Sequence, residues 1–262
     1  MNASPLLITV DSSIARVTLN RPQAANAIDM GMACALLDAA IRCDEDVGIR
    51  CVVLTGSGKY FCAGGDIEAF ASAANGTAML LESLASTMHQ ALTRLAGMSK
   101  PLVVLVNGPA AGAGLSLAIL GDIVLAARSA HFTAGYTALG LTPDCGLTWS
   151  LPRLVGLRRA QELVLTNRRV TASEAEVMGL ITRSVEDGDL EEQGASVAAN
   201  LARSATGALG NSRSLLLNSF TATFRAQLDA EARTITHAGA GAECLEGIAA
   251  FRGKRKPNFA GV

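Results

Sequence analysis

The sequence predicts an α/β fold for residues 1–189 and an all-helical segment for residues 190–262. Leu102–Val106 is a continuous apolar run rich in β-branched residues, which is typical of a strand covered on both faces. A Gly-Pro pair then breaks the strand, and the small residues of Asn107–Leu120 lead into a helix. Strand patterns stop near Val185, so the second segment is not expected to add to the sheet.

The composition is that of a globular protein with a large core. The chain has 262 residues, of which 50% are hydrophobic and 17% are charged, enough for one domain with an appendage. The formal net charge is −1 and basic residues cluster only at Arg252–Lys256, so nucleic acid is not expected as a partner. The longest apolar region, Leu102–Ala127, is interrupted by Asn107, Pro109 and Asp122, so no membrane span is expected.

The cysteines predict reduced thiols. The six cysteines are scattered with no C-x-x-C spacing, and the chain has only three histidines, so no metal site is expected. The first residues lack the basic, apolar and small-residue segments of a secretory signal. We therefore expect a cytoplasmic protein.

The first elements are predicted as a hairpin, a helix and a buried strand. Leu6–Val10 and Ile14–Leu19 are β-rich runs separated by three polar residues, as in a hairpin. After a loop of small residues, Asp29 can cap a helix that extends to about Cys43. Cys51–Leu54 then has the pattern of a buried strand.

A second glycine-rich turn follows that strand. Asp66 is predicted to cap a helix, so Gly64 and Gly65 form another place where unpaired amides follow a strand. Thr77–Ala96 has the pattern of a long amphipathic helix, with His89 beside its apolar stripe. A core or surface role is the default expectation for that histidine.

The rest of the first segment alternates between strand, loop and helix patterns. Ile123–Ala127 is a predicted strand, and Ala130–Gly146 is a predicted loop region that lines a pocket. Arg158–Leu165 is predicted to be helical. Thr171–Glu174 has the spacing of a capping box and opens a short helix that Gly179 ends.

The second segment reads as helices from Leu190 to about Phe251. Gly207 and Gly210 are predicted to break this helical region. We expect these helices to pack on the first segment or on a neighbouring subunit.

The start of the helix after Leu102–Val106 is a candidate oxyanion site. A helix that begins near Ala113 would leave the amides of its first turn unpaired and facing outward. Gly112, Ala113 and Gly114 have almost no side chain, so a ligand carbonyl could approach their N–H groups. Close helix packing is the alternative, because glycine and alanine serve it equally well.

Six short motifs resemble those of the crotonase, or enoyl-CoA hydratase/isomerase, superfamily over nearly the whole chain. They are Asn20-Arg21-Pro22 to Asn26-Ala27, Phe61 to Asp66, Lys100-Pro101, Asn107-Gly108 to Gly114, Pro143-Asp144, and Leu151 to Gly156. The resemblance implies a crotonase-like spiral of ββα units in residues 1–189. It also implies that residues 190–262 form a trimerisation region, in a homotrimer or a dimer of trimers.

The resemblance also implies the chemistry of the site. The backbone N–H groups of Gly65 and Ala113 would form an oxyanion hole for the carbonyl of an acyl-CoA thioester. Each donor would supply about 3 kcal/mol of stabilisation to an enolate-like transition state. Coenzyme A would enter as part of the substrate, so no separate cofactor is expected.

Seven positions match those that contact the CoA moiety in the family. Five belong to the first segment, and the last two correspond to a C-terminal Phe and Lys that an adjacent subunit often supplies. The positions are Ala25, Ala27, Ala63, Asp66, Ile67, Phe251 and Lys254.

Two departures from the family pattern disfavour hydration. Ordinary hydratases use two glutamates to hold and activate water, and here those places hold Ser116 and Tyr136. Ser116 follows Ala113 by one helical turn and is expected on the pocket face, but a serine cannot take a proton from water at neutral pH without a base beside it. A phenol with a reference pKa of about 10 does not replace a carboxylate.

Asp144 is the remaining acid in this region, eight residues after Tyr136. A turn aspartate after a proline is the structural alternative. An aspartate here is the base in oxepin-CoA-forming and related 3-enoyl-CoA isomerases, and the nucleophile in 4-chlorobenzoyl-CoA dehalogenase. The dehalogenase also has a histidine at the place of His89, but it has a tryptophan where Tyr136 stands.

Several functional hypotheses remain open. The first is an acyl-CoA double-bond isomerase in which Asp144 moves one proton. The second is a hydrolytic aryl-CoA dehalogenase, in which Asp144 attacks the ring and His89 activates water. A hydratase with an atypical site and a non-catalytic acyl-CoA-binding subunit are further alternatives.

Overall fold

A six-stranded, mostly parallel sheet lies at the centre of the protein, in a computed structural model that describes residues 4–262. The strands are β1 (Leu6–Asp11), β2 (Ile14–Leu19), β3 (Cys51–Gly56), β4 (Leu102–Val106), β5 (Ala110–Ala111), β6 (Ile123–Ala127), β7 (His131–Thr133), β8 (Val170–Thr171) and β9 (Arg183–Val185). The central sheet has the order β1-β2-β3-β4-β6-β9, and only β1 is antiparallel to its neighbour. A small second sheet has the order β5-β7-β8.

The helices surround the central sheet and continue after its last strand. They are α1 (Met30–Glu45), α2 (Ile67–Ser72), α3 (Thr77–Gly97), α4 (Ala113–Ala118), α5 (Leu147–Val155), α6 (Leu157–Thr166), α7 (Ala172–Val177), α8 (Leu190–Arg203), α9 (Thr206–Asn218), α10 (Phe224–Gly239) and α11 (Ala242–Arg252). Within residues 4–262, none of these helices has both the length and the apolar content that crossing a bilayer requires.

The central strands are buried because helices cover both faces of the sheet. Every residue of β4 is buried, in agreement with its uninterrupted apolar sequence. Leu36 of α1 and Leu95 of α3 pack over Leu102 on one face. On the other face, Gly194 of α8 lies directly against the side chain of Leu105.

The predicted helix caps are confirmed. The Asp29 side chain accepts a hydrogen bond from the Met32 amide at 2.8 Å, where α1 begins. The Asp66 side chain accepts from two amides at the start of α2. The Thr171 hydroxyl accepts from the Glu174 amide at the start of α7. These side chains therefore fix where three helices begin.

Two cationic side chains, the buried Lys100 and the partly buried Arg213, satisfy carbonyl groups at helix ends. Lys100 donates to the backbone oxygens of Cys43, Asp44 and Asp46 at 2.7, 3.0 and 2.6 Å, just where α1 ends. Arg213 of α9 donates to the Met98 carbonyl oxygen after α3. These contacts join the helices to the ends of the neighbouring elements.

The prediction of one loop over Ala130–Gly146 is only partly right. This stretch contains β7 and a 3-10 turn at Thr137–Leu139. β7 pairs with β5 and with β8, which are two residues long each. Such short strands have too few residues for a visible alternation, so their pairing is set by tertiary contacts.

The predicted helix break at Gly207 and Gly210 is wrong. α9 runs through both glycines, and the breaks lie on either side of it. A Cβ atom at position 210 would clash with the backbone and side chain of Ser99. Gly210 is therefore needed for the close approach of α9 to the chain before β4, and tertiary packing outweighs its low helix propensity.

Replacing Gly210 with alanine should lower the free energy of unfolding by about 1–3 kcal/mol, because α9 must move away from Ser99. Gly239→Ala is the matched control, since a Cβ at that helical position meets nothing within 4 Å. The control should raise stability by about 0.4–1 kcal/mol through its effect on the unfolded chain. Urea denaturation of both variants measures the difference, and a stable Gly210→Ala variant would contradict the packing explanation.

Candidate active site

The turn before α4 leaves one backbone amide open. Gly112 has a φ of 54° and a ψ of −127°, a conformation that side chains disfavour, and its own amide donates to the Thr133 carbonyl oxygen. Ala113 is the first residue of α4, so its amide has no partner in the preceding turn. Among residues 4–262, no hydrogen bond from the Ala113 amide is found.

The turn before α2 leaves a second amide open. Ile28 pairs with Gly65 in a parallel bridge, in which the Ile28 amide donates to Gly64 and the Asp66 amide donates to Ile28. In this pattern the N–H of Gly65 points away from Ile28. It has no acceptor in the described part of the chain.

Close backbone packing brings these two turns together. A Cβ atom at Gly114 would clash with the Cys62 carbonyl group, so the start of α4 lies directly on the segment before Gly65. Cys62 also pairs with Ala110 in a parallel bridge. The glycine that the sequence places in the first turn of α4 is thus required by packing, and this packing holds together the two turns that carry the open amides.

Both amides line a cavity of about 410 Å³. Its walls are mainly apolar and come from α2, α3 and the segment before α5. The side chains that line it include those of Phe70, Leu84, Met88, Tyr136, Leu141 and Asp144. The cavity combines two hydrogen-bond donors, one half-buried carboxylate and an apolar wall, which suits a carbonyl compound with a hydrocarbon portion.

Asp144 lies where a turn enters α5. Its main-chain oxygen accepts from the Leu147 amide, and its side chain lines the cavity. The next two residues, Cys145 and Gly146, both have positive φ values, 51° and 76°. This double left-handed step turns the chain sharply between the carboxylate and α5.

Tyr136 donates a hydrogen bond from its hydroxyl to Oδ1 of Asp144 at 2.7 Å. Burial, together with the negative charge of Asp144, raises the pKa of Tyr136 well above its usual value. The phenol is therefore neutral, and it acts as a hydrogen-bond donor rather than as a base.

Ser116 is buried behind this pair and does not line the cavity. Its hydroxyl lies 3.4 Å from the Tyr136 hydroxyl and 3.3 Å from the main-chain oxygen of Asp144. The prediction that Ser116 faces the pocket is therefore not met within this chain. Its neighbours are Tyr136 and the backbone of Asp144.

His89 lies on α3 beside Asp144, outside the cavity. Its Nε2 accepts a hydrogen bond from the Cys145 amide at 3.3 Å. Ligand-type atoms of His89, Asp144 and Cys145 lie within 4.8 Å of one another. Burial and the nearby Asp144 charge raise the pKa of the Cys145 thiol, so it stays protonated, and the Nε2 lone pair is already engaged. The donor set is thus a poor match for a cation.

Arg21 holds the first turn of the site together. Its guanidinium donates to the Ala27 carbonyl oxygen at 2.6 Å and to Asp66 Oδ2 at 2.9 Å, and it pairs with Asp29 at 3.2 Å. Burial alone would raise the pKa of Asp66, but the Arg21 contacts and the two α2 amides lower it. Arg21 therefore links the caps of α1 and α2 on either side of Gly65.

The predicted CoA-contacting residues divide into two groups. Ala63 and Ile67 line the cavity, and Ala25 and Ala27 form the adjacent loop, where the Ala63 amide donates to the Ala25 carbonyl oxygen. The Asp66 carboxylate is occupied by Arg21 and by the α2 amides. Phe251 and Lys254 are exposed and do not line the cavity of their own chain.

Sequence reasoning missed three residues that shape the site. Arg21 belongs to one of the family motifs, but its role is indicated only by the two helix-capping aspartates, Asp29 and Asp66, that its charge can pair with. Asn26 is fully buried, and its side-chain amide donates to three backbone oxygens of the next loop, those of Ser57, Tyr60 and Phe61. Glu82 adds an exposed carboxylate to the cavity lining, and no local pattern indicates this.

Comparison with known proteins shows which family the chain belongs to. The family model described as enoyl-CoA hydratase/isomerase matches residues 9–262. This chain therefore belongs to the enoyl-CoA hydratase/isomerase family, and its crotonase fold is confirmed. It is an enzyme family whose members act on acyl-CoA thioesters.

Individual relatives carry different activities in their names. The chain is 39% identical over 257 residues to 1,2-epoxyphenylacetyl-CoA isomerase of Escherichia coli strain K12, with 98% of each chain covered. It is 40% identical over 254 residues to a protein of Rhodobacter capsulatus named probable enoyl-CoA hydratase, with 96% of each covered. A crystal structure of an enoyl-CoA hydratase from Polaromonas sp. JS666 superposes with a TM-score of 0.92 at 31% identity, covering 97% of this chain and 98% of the other.

Replacing Arg21 with methionine should lower the free energy of unfolding by about 2 kcal/mol at neutral pH, because it leaves Asp66 without its cation. Asp66 has a lowered pKa when folded, so its contribution is complete above the unfolded value of about 3.9 and is lost below it. The difference between variant and wild type should therefore shrink as the pH falls below about 4.

Arg128→Met is the control, since Arg128 and its partner Glu186 are more than half exposed. Its effect should stay within about 0.5 kcal/mol. Chemical denaturation at several pH values measures both variants, and equal effects at positions 21 and 128 would contradict the role given to Arg21.

Proposed function

We propose that the protein moves a carbon–carbon double bond in an enoyl-CoA thioester, with Asp144 as the single base. The observation that carries this proposal is the lining of the cavity, which includes the half-buried Asp144 together with Gly65 and Ala113, whose amides are open, while Tyr136 stands in a family glutamate place. An isomerase needs only one group that accepts a proton and returns it.

The proposed reaction is balanced within the substrate. Asp144 takes a proton from the α carbon of a 3-enoyl-CoA, and the electron pair of that C–H bond delocalises into a dienolate. The thioester oxygen receives the negative charge and accepts hydrogen bonds from the Gly65 and Ala113 amides. Asp144 then returns the proton to the γ carbon, which gives the conjugated 2-enoyl-CoA. Each amide would contribute about 3 kcal/mol to the barrier reduction.

Hydration is less well supported by these residues. Adding water needs a group that orients the water and takes its proton, and the Tyr136 phenol is a donor held by Asp144. Ser116 is buried away from the cavity. Glu82 also lines the cavity and is exposed, and a hydratase with an atypical site, which would use this carboxylate, is the alternative.

The substrate class is proposed from the cavity wall and from one relative. Phe70, Leu84 and Leu141 present an apolar surface suited to an alkyl or ring-bearing acyl group. A relative of 39% identity is named 1,2-epoxyphenylacetyl-CoA isomerase. We extend the proposal to CoA thioesters of that ring-bearing class alongside linear 3-enoyl-CoA esters.

A hydrolytic dehalogenase is a second candidate because His89 lies beside Asp144. In that reaction Asp144 would attack a halogenated ring, and His89 would activate the water that cleaves the aryl ester. The Nε2 atom of His89 already accepts the Cys145 amide proton, which weakens its use as a base. A non-catalytic acyl-CoA-binding subunit is the remaining alternative.

The proposed assembly completes the CoA site between subunits. Residues 190–262 are proposed as the trimerisation region, and this region carries large exposed apolar side chains. They include Leu216, Phe220, Phe224, Ile235 and Phe251. Phe251 and Lys254 would then contact the CoA moiety bound by a neighbour. The six free cysteines support a cytoplasmic setting, and no cofactor besides the substrate's own CoA is proposed.

Asp144→Asn should abolish isomerisation of a linear 3-enoyl-CoA while leaving thioester binding within a few fold, because the amides and the apolar wall are retained. Conversion is followed by the ultraviolet absorbance of the conjugated product, and binding by calorimetry with a saturated acyl-CoA. Asp38→Asn is the control, since that aspartate is exposed on α1.

The same assay with other esters separates the alternatives. Isomerase activity that survives Asp144→Asn would remove the mechanism. Rapid hydration of crotonyl-CoA by the wild type would favour a hydratase, and release of halide from 4-chlorobenzoyl-CoA would favour the dehalogenase. Binding of all esters without turnover would favour the non-catalytic subunit.

Light scattering at micromolar concentration should give a mass about three or six times the 26.9 kDa of one chain. The physical reason is the exposed apolar surface of residues 190–262, which association would cover.

In the same oligomer, Lys254→Ala should raise KM for the CoA thioester and leave kcat nearly unchanged. A monomer with full activity would contradict the shared CoA site.

A further inference from the structure

The two residues in the hydratase glutamate places form one hydrogen-bonded chain with Asp144. The Tyr136 hydroxyl donates to Asp144 Oδ1 at 2.7 Å, and the Ser116 hydroxyl lies 3.4 Å from the Tyr136 hydroxyl. Ser116 also approaches the main-chain oxygens of Asp144 and Gly112, at 3.3 and 3.5 Å. This series of hydrogen bonds thus connects α4, whose first residue carries one of the proposed oxyanion amides, to the Asp144 carboxylate.

Tyr136 is itself held firmly in place. Its side chain is buried, and its main-chain oxygen accepts hydrogen bonds from the Leu139 and Leu141 amides at 3.0 and 3.1 Å. These contacts close the 3-10 turn at Thr137–Leu139. A rigid phenol at this position presents its single proton in one direction, toward Asp144.

Asp144 needs such a partner because its own backbone is in a turn. The residue is half-buried and is followed by two left-handed residues, Cys145 and Gly146, so no regular element fixes its side chain. A free carboxylate can rotate about two torsions, and a displacement of about 1 Å can cost roughly a hundredfold in rate. The Cys145 thiol beside it is a weak donor.

We infer that Tyr136 is a positioning residue for Asp144, a conclusion that rests on the proposed isomerase function. The phenol occupies Oδ1, which leaves Oδ2 to take the α proton of the substrate. When Oδ2 holds that proton, Oδ1 still accepts from the phenol. The carboxyl group therefore keeps one orientation while it takes and returns the same proton.

Tyr136→Phe tests this inference because it removes only the hydroxyl. The expected result is a fall in kcat of about 10- to 100-fold, with KM and saturated acyl-CoA binding nearly unchanged, since the thioester contacts are backbone amides. The chain has only two tyrosines, and Tyr60 is 41% exposed. Tyr60→Phe is therefore a matched control with wild-type activity. Ser116→Ala removes only the hydroxyl that contacts Tyr136 and leaves the bond from Tyr136 to Asp144 in place, so it should have a smaller effect.

Proton retention gives a readout that a purely structural role would not change. In D₂O the wild type should transfer much of the abstracted proton within the substrate, whereas Tyr136→Phe should incorporate more deuterium into the product. A carboxyl group that turns between its two tasks exchanges its proton more often. This ratio does not depend on the fraction of the sample that is folded, and thermal unfolding checks the fold separately.

Several outcomes would overturn the inference and leave the proposed function intact. Wild-type kcat and wild-type deuterium incorporation in Tyr136→Phe, with Asp144→Asn inactive, would show that the carboxylate needs no phenol. A rise in KM with unchanged kcat would make Tyr136 a cavity wall only. Full activity of Asp144→Asn would instead remove the proposed function itself.

A double variant separates positioning from an independent role. If Tyr136 acts through Asp144, then Tyr136→Phe should reduce kcat much less in an Asp144→Glu background than in the wild type, because the longer side chain no longer meets the phenol. Equal reductions in both backgrounds would mean that Tyr136 acts on the substrate directly, which would overturn the inference.

Discussion

The contact between the start of α4 and the segment before Gly65 is the constraint on which the site depends. Gly114 lies against the Cys62 carbonyl group with no room for a Cβ atom. This contact holds together the two turns whose open amides, those of Gly65 and Ala113, are 48 residues apart in sequence. The parallel bridge from Ile28, and the hydrogen bonds that Arg21 donates to Ala27 and Asp66, then fix the direction of the Gly65 amide.

The sequence predicts most of the framework because the relevant signals are local. The non-alternating run of β4, the cap at Asp29 and the cap at Asp66 each depend on a few neighbouring residues, and the structure agrees with all three. The break predicted at Gly210 fails because the reason for that glycine is Ser99, which lies more than 100 residues away in sequence. Two-residue strands such as β8 give no periodic signal at all.

The candidate site is predictable in its residues more than in its contacts. Turn chemistry and family resemblance single out Gly65, Ala113 and Asp144, and the structure brings all three residues to one cavity. The burial of Ser116 and the hydrogen bond from Tyr136 to Asp144 depend on how β7, α4 and the turn before α5 meet. No local pattern contains that information, because three separate segments create it.

The burial of Ser116 limits which side chains position 116 can hold. A glutamate introduced at position 116 alone would enter a buried place where the one nearby phenol proton is already shared with Asp144. Two carboxylates would then compete for one donor, and the unpaired one would carry a desolvation cost. A glutamate at position 116 would therefore be accommodated only if position 136 also changed, so the side chains at these two positions are coupled.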